Sequence, residues 1–219
     1  MGIKIIEELF QSNANKDQAP AMEAYMKGHF PFLGIKSPLR KELAKTFFSD
    51  TGIHKKPFDQ EFLLQLWKKP EREYQYMALD YYGKYIKKRP KEDISLIEYL
   101  ITHKSWWDTV DSIASNLAGV LARSYPELKE EVLRSWGTHE NMWLRRTAIL
   151  FQLKYKASTD EKLLYEIILQ NNDSKEFFIQ KAIGWALREY SKTNPDSVRS
   201  FIESHPLAKL SIREGSKYL

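Results

Sequence analysis

The chain lacks cysteine, has few glycines and contains no long apolar run, and each absence excludes a class of protein. With no cysteine among 219 residues, it has no disulfides, thiolate zinc sites or cysteine nucleophiles. Its nine glycines form neither a dinucleotide fingerprint nor a phosphate-binding loop. The longest apolar runs, such as the one at 148–151, are too short to span a bilayer.

Histidine spacing and the N-terminal residues narrow the class further. None of the five histidines stands at a metal-binding spacing from another, so we expect no metal and no other cofactor; they are His29, His54, His103, His139 and His205. Acidic residues at positions 7 and 8 interrupt the place where a signal peptide needs an apolar stretch. We therefore expect a cytoplasmic protein without membrane association.

The net charge of +5, from 34 basic and 29 acidic residues, is mildly basic. Such a balance permits nucleic-acid binding if the basic groups gather on one face, because phosphate binding depends on local charge density. The densest basic segment, at 84–91, is typical of a solvated helix end.

Helical periodicity recurs along the whole chain, whereas strand signals are nearly absent, so we predict an all-α fold in one domain, 1–219. Proline or polar residues mark helix starts near positions 37, 70, 126, 159, 174 and 194. Small residues recur at intervals of about 34 residues, as expected of stacked two-helix repeats; they are Ala78, Ala114, Ala148 and Ala182. This pattern predicts an α-solenoid whose successive second helices line one concave surface.

The best candidate for chemistry is the pair Trp107 and Asp111, which share one face of a predicted helix. A carboxylate beside an indole stabilises a developing positive charge. The alternative is an ordinary amphipathic helix with its tryptophan in the core. If the repeats stack, Arg146 and Trp185 on the following helices reach the same groove. We interpret the other tryptophans as packing residues; they are Trp67, Trp106, Trp136 and Trp143.

Four segments extend this interpretation, namely YMKGHFPFLGI at 25–35, KSWWDTVDSI at 104–113, MWLRR with the residues following it at 142–156, and SKEFFIQKAIGWALREY at 174–190. Together they resemble the AlkD-type DNA alkylation repair proteins, which are DNA glycosylases. The resemblance implies about six HEAT-like repeats curved around a concave DNA-binding groove. It implies hydrolysis of the N-glycosidic bond of cationic purines such as 3-methyladenine and 7-methylguanine, without base flipping, leaving an abasic site.

The resemblance also assigns residue roles. It makes Asp111 the catalytic carboxylate, places Trp107 and Trp185 beside the deoxyribose, and gives Arg146 a backbone phosphate. It implies DNA contacts for a further set: Tyr25, Ser37, Arg40, Lys154 and Arg188. The expected partner is duplex DNA carrying alkylated purines. We expect a monomer that associates with the nucleoid when bound to DNA.

Two other functions remain open at this point. The first is a catalytically inactive helical-repeat protein that binds distorted DNA, and the second is a protein-interaction scaffold. A DNA-binding protein needs Arg146 but not Asp111, whose charge repels phosphate. A scaffold needs neither residue. The neighbouring Asp108 is a rival carboxylate, which we interpret as a packing or hydrogen-bonding residue.

Overall fold

A computed structural model describes residues 2–219, and no strand occurs among them. The prediction of an all-α fold is confirmed. The chain divides into two compact units, Met1–Ile86 and Lys87–Leu219, and the single domain stays a prediction. Within the described residues, none of the helices combines the length and the apolar character needed to cross a membrane.

The first unit contains five α-helices: α1 Gly2–Ser12, α2 Ala19–Tyr25, α3 Ser37–Thr51, α4 Gln60–Lys68 and α5 Arg72–Gly83. The second unit contains α6 Ile94–Thr102, α7 Trp107–Ile113, α8 Gly119–Ser124, α9 Arg134–Trp136, α10 Met142–Leu150, α11 Glu161–Leu169, α12 Phe177–Ser191, α13 Pro195–Ser204 and α14 Lys209–Gly215. Two π-helical segments, Ala114–Ala118 and Lys129–Leu133, interrupt the helices of this unit.

Several helices begin where the sequence signals predict. Helix α3 begins at Ser37, and the Asp160 and Asn194 side chains cap α11 and α13 by accepting backbone N–H bonds. Helix α12, by contrast, begins at Phe177 rather than at Ser174. The Ser174 hydroxyl accepts a hydrogen bond from the Glu176 amide (3.3 Å), and this local turn delays the helix.

The four repeat alanines all lie in helices and are essentially buried, at 0–1% exposure. In the second unit, α7 packs against α10, and α10 packs against α12. Ala114 follows α7 directly, and Ala148 and Ala182 lie on α10 and α12. A methyl side chain permits close helix approach, so the spacing correctly predicts which helices of this unit stack.

In the first unit, a buried carboxylate orders the segment before α3. Glu73 is fully buried, and its two oxygens accept hydrogen bonds from the amides of Leu33, Gly34 and Ile35, each at 3.0 Å. Gly34 has φ +83°, and a Cβ there would lie 2.0 Å from the Asn15 carbonyl oxygen. Burial raises the pKa of Glu73, although the three amides oppose this.

Replacing Glu73 with alanine leaves these buried amides without an acceptor. Each unsatisfied buried donor costs about 1–3 kcal/mol, so Glu73→Ala should lower the free energy of unfolding by at least about 3 kcal/mol, measured by urea denaturation. Glu73→Gln, which retains one acceptor oxygen, should lose less. Glu42→Ala, at an exposed position on α3, makes the same charge change and serves as the control. Equal stability of the two alanine variants would contradict this role of Glu73.

Candidate active site

The centre of the second unit is a bidentate ion pair between Asp111 on α7 and Arg146 on α10. Arg146 Nε donates to Asp111 Oδ1 at 2.7 Å, and Nη2 donates to Oδ2 at 2.9 Å. Parallel fork geometry of this kind is the strongest form of arginine–carboxylate bonding. The Asp111 side chain is 14% exposed to solvent, whereas the Arg146 side chain is 5% exposed. The carboxylate is therefore the member of the pair that reaches the surface.

Arg146 is committed to contacts within the protein. Its third nitrogen, Nη1, donates to the backbone carbonyl of Phe178 at the start of α12, and its guanidinium lies 5.8 Å from the Phe178 ring centroid. All three guanidinium nitrogens thus have protein acceptors, so Arg146 joins α7, α10 and α12. The predicted phosphate contact of Arg146 stays a prediction. In this arrangement the residue holds Asp111.

An aromatic cluster lies beside the ion pair. The Phe178 ring packs against Trp106 and Trp143, with centroid distances of 5.1 and 5.2 Å, and the two indoles lie 5.7 Å apart. The structure thereby confirms the interpretation of Trp106 and Trp143 as packing residues. Sequence reasoning missed Phe178, although it lies seven residues before Trp185 and so shares a face of α12 with it.

Trp107 and Asp111 lie one helical turn apart on α7, as the sequence predicts, and Trp107 is the first residue of that helix. Trp185 lies in the middle of α12. Both indoles are half-buried. Their helices meet where Trp106, at the start of α7, contacts Phe178, at the start of α12. The cleft expected between Trp107 and Trp185 stays a prediction.

A π-helical segment, Ala114–Ala118, follows Asp111 within three residues. Such segments are frequent at functional sites. A Cβ on Gly119 would lie 2.2 Å from the carbonyl oxygen of Phe151, the residue that follows α10. Glycine therefore permits the close approach between the α7–α8 region and the end of α10. These are the elements that carry Asp111 and Arg146.

The electrostatics of Asp111 result from opposing effects. Burial raises the pKa of this carboxyl, whereas the hydrogen bond and the charge of Arg146 lower it, and the Asp108 carboxylate adds a smaller upward contribution. Burial is the largest of these effects, so the pKa lies above the ordinary value of an aspartate. The charged form of Asp111 therefore depends on Arg146.

The structure also shows the surroundings of the other predicted DNA contacts. In the second unit, Lys154 is exposed and bonded to the Asn116 side chain, and Arg188 donates to Glu214 at 3.0 Å. In the first unit, Tyr25 is 67% exposed and Ser37 is exposed at the start of α3. Arg40 differs from these residues, because it is buried, bonded to Asp80 and stacked over Tyr76.

The histidine next to the candidate site and the acidic residues of the chain were considered as metal ligands. His103 is exposed and stacks on the Tyr99 ring at a centroid distance of 4.0 Å. Within residues 2–219, no three histidine, aspartate or glutamate side chains group in a way that could hold a metal ion.

A family model described as "DNA alkylation repair enzyme" matches residues 6–219. The chain belongs to the DNA alkylation repair enzyme family. This membership supports a role in the repair of alkylated DNA, with DNA as the partner.

Two solved structures are similar to this member of the family. A predicted DNA alkylation repair enzyme from Enterococcus faecalis is 36% identical, with a TM-score of 0.87, over 94% of this chain and 96% of its own. The smu.31 protein from Streptococcus mutans UA159 is 17% identical, with a TM-score of 0.59, over 82% of this chain and 99% of its own. The second likeness concerns the fold alone. Among curated proteins, the comparison found no match.

The ion pair of this family member should be strongly coupled. In a double-mutant cycle with Asp111→Ala and Arg146→Met, we expect a coupling free energy of at least about 1 kcal/mol, since removing one partner leaves the other charge largely buried and unpaired. Urea denaturation of the four proteins measures it.

The matched control is the surface pair Asp196 and Arg199, whose nitrogen–oxygen distance is 2.9 Å and whose side chains are 89% and 48% exposed. The corresponding cycle should give less than about 0.5 kcal/mol. Equally small values in both cycles would contradict tight coupling of Asp111 and Arg146.

Proposed function

We propose that this chain is a monofunctional DNA N-glycosylase that hydrolyses the N-glycosidic bond of cationic alkylated purines, including 3-methyladenine and 7-methylguanine, and leaves an abasic site in duplex DNA. The observation that supports this most is the Asp111 carboxylate, partly exposed, held in one orientation by Arg146 and one turn from Trp107. A protein that only binds DNA has no need of an exposed carboxylate, because it repels phosphate.

One carboxylate is enough for this reaction. Departure of the purine leaves an oxocarbenium-like sugar, as in glycoside hydrolysis, where a second carboxyl normally protonates the leaving group. An alkylated purine that is already cationic leaves without such protonation. In the proposed mechanism, Asp111 stabilises the sugar cation and orients or deprotonates the attacking water. Each Asp111 oxygen receives one hydrogen bond from Arg146 and has a second lone pair for these tasks.

The pairing with Arg146 weakens the charge of Asp111 without cancelling it. At an effective dielectric constant of 20, a sugar cation about 4 Å from the carboxylate gains about 4 kcal/mol. The guanidinium, on the far side of the carboxylate at about 8 Å from that cation, opposes this by about 2 kcal/mol. The remaining stabilisation, about 2 kcal/mol, corresponds to a rate factor of roughly 30.

The two tryptophans provide the proposed walls of the site. Trp107 and Trp185 lie on helices that both pack against α10 and that meet at the contact between Trp106 and Phe178. Indole faces beside the deoxyribose attract positive charge, and the attraction grows as the charge develops. Recognition would then depend on the backbone and the sugar, with the base left in the stack.

Base release from methylated duplex DNA tests the proposal. The purified protein should release 7-methylguanine and 3-methyladenine, detected as free bases by chromatography. Asp111→Asn should reduce the single-turnover rate by roughly 30- to 1,000-fold, since this range spans the estimate above and typical losses of a transition-state stabiliser. The affinity for DNA should stay the same or rise, because a negative charge near phosphates is removed.

Asp108→Asn is the matched control, since it removes a carboxylate from the same helix three residues away. We expect its rate to stay within about threefold of that of the wild type. An absence of base release with protein in excess would refute the glycosylase and would leave a non-catalytic DNA-binding role. Equal losses in the two variants would refute the assignment of Asp111.

The pH dependence of the rate tests Arg146 as a positioning residue. Base release needs ionised Asp111, so the rate should fall as the pH is lowered through the pKa of this carboxyl. Arg146→Met removes the effect that lowers the pKa of Asp111, so the acidic limb of the profile should move to higher pH. Arg146→Lys keeps the positive charge but cannot form the two parallel hydrogen bonds, so it should move the acidic limb less. A limb at the same pH in all three proteins would contradict this role.

A further inference from the structure

A second carboxylate in this unit, Glu214, has several basic neighbours, whereas Asp111 has one. Glu214 on α14 is 6% exposed, and four basic side chains approach it: Lys217 at 2.8 Å, Arg188 at 3.0 Å, Lys181 at 3.3 Å and Arg213 at 3.9 Å. The hydrogen bond from Lys217, the largest effect, and the charge and hydrogen bond of Lys181 lower the pKa of Glu214 to about 2. One negative charge thus gathers four positive ones, and we call this group the Glu214 cluster.

The packing of α14 against α12 fixes the position of the cluster. A Cβ on Gly184 would lie 2.5 Å from the Glu214 Cβ and 3.0 Å from the Ser211 carbonyl oxygen. The Ser211 hydroxyl also donates to the Gln180 carbonyl at 2.9 Å. Glycine at position 184 therefore lets α14 lie directly on α12. Glu214 is thereby held at the surface of α12.

The cluster lies beside Trp185. Lys181 precedes this tryptophan by four residues and Arg188 follows it by three, so all three project from the same side of α12. The two basic residues are about 10 Å apart along the helix axis, yet both side chains bend toward the Glu214 carboxylate. Two of the four basic side chains therefore flank, along α12, the indole that we place against the deoxyribose.

Most of the hydrogen-bonding capacity of the cluster is left over. The four basic side chains have roughly sixteen N–H donors, whereas a carboxylate accepts about four hydrogen bonds. The outer members are well exposed, at 73% for the Arg213 side chain and 49% for that of Lys217. A neutral ion-pair network would bury or balance these charges. This one presents an excess of about three positive charges to solvent.

We infer that the Glu214 cluster binds the phosphate backbone of DNA next to the nucleotide whose sugar lies at Trp185. Arg146 uses three of its five N–H donors within the protein, and Asp111 repels phosphate, so additional positive charge close to the site favours binding of the strand. The cluster provides that charge, with Glu214 orienting the basic side chains rather than neutralising them. This inference deepens the proposed function and rests on it for the identity of the partner.

The salt dependence of binding to a short unmodified duplex tests the cluster apart from base release. The logarithm of the association constant falls linearly with the logarithm of salt concentration, by about 0.9 per phosphate contact. Arg213→Ala combined with Lys217→Ala should weaken binding and reduce the steepness of that line by about 1 to 2. Fluorescence anisotropy at several salt concentrations measures both quantities.

The matched control combines Lys162→Ala and Arg199→Ala, at exposed positions on α11 and α13. It lowers the net charge equally, and its line should keep the steepness of the wild type. Circular dichroism and thermal unfolding establish that both double variants fold. Equal steepness for the cluster and control variants would overturn the inference, even if the wild-type protein releases methylated bases. If the wild-type protein released no methylated base, the proposed function would be refuted, but the salt dependence of binding would still test the cluster.

Discussion

The arrangement of the second unit depends on the fork between Arg146 and Asp111. The guanidinium bonds a carboxylate on α7 and a carbonyl at the start of α12 from its own place on α10, so one buried side chain connects three helices. A charged carboxylate with 14% exposure is costly to desolvate, and only a partner of opposite charge in good geometry offsets that cost. The close approach at Gly119 and the aromatic packing of Phe178 keep the helices at the distance that this geometry needs.

The same fork imposes a compromise on the proposed chemistry. An unpaired carboxylate would attract a sugar cation more strongly, but burial would favour its protonated form, which stabilises no cation. A carboxylate fully covered by arginine would be ionised but out of reach. The structure lies between these limits, because Arg146 occupies one side of the carboxylate and is itself almost fully buried. The exposed edge of Asp111 is therefore accessible, and the adjacent guanidinium favours its charged form.

Helical periodicity was sufficient to predict the fold class, the shared face of Trp107 and Asp111, and the stacking of the helices that carry Ala114, Ala148 and Ala182. These are local or repeating patterns. The partner of Arg146 lies 35 residues away and depends on how two helices rotate against each other, which no spacing specifies. The burial of Arg40 and its bond to Asp80 were missed for the same reason. Phe178 was missed because the acceptor is its backbone carbonyl. Arg188 was predicted as a DNA contact, but its grouping around Glu214 was missed, because that grouping depends on how α14 packs on α12.

Three buried or largely buried carboxylates in this chain differ mainly in what surrounds them, and that difference separates their roles. Glu73 accepts hydrogen bonds from three backbone amides. Its role is therefore structural, because these bonds order the backbone before α3. Asp111 has one cation beside it, which leaves an edge of the carboxylate for the reaction proposed above. Glu214 has four cations around its single negative charge, so its surroundings are positive, as the inferred phosphate contact requires. For these three carboxylates, the number of neighbouring positive charges thus parallels one structural role, the proposed stabilisation of a cation and the proposed binding of a phosphate.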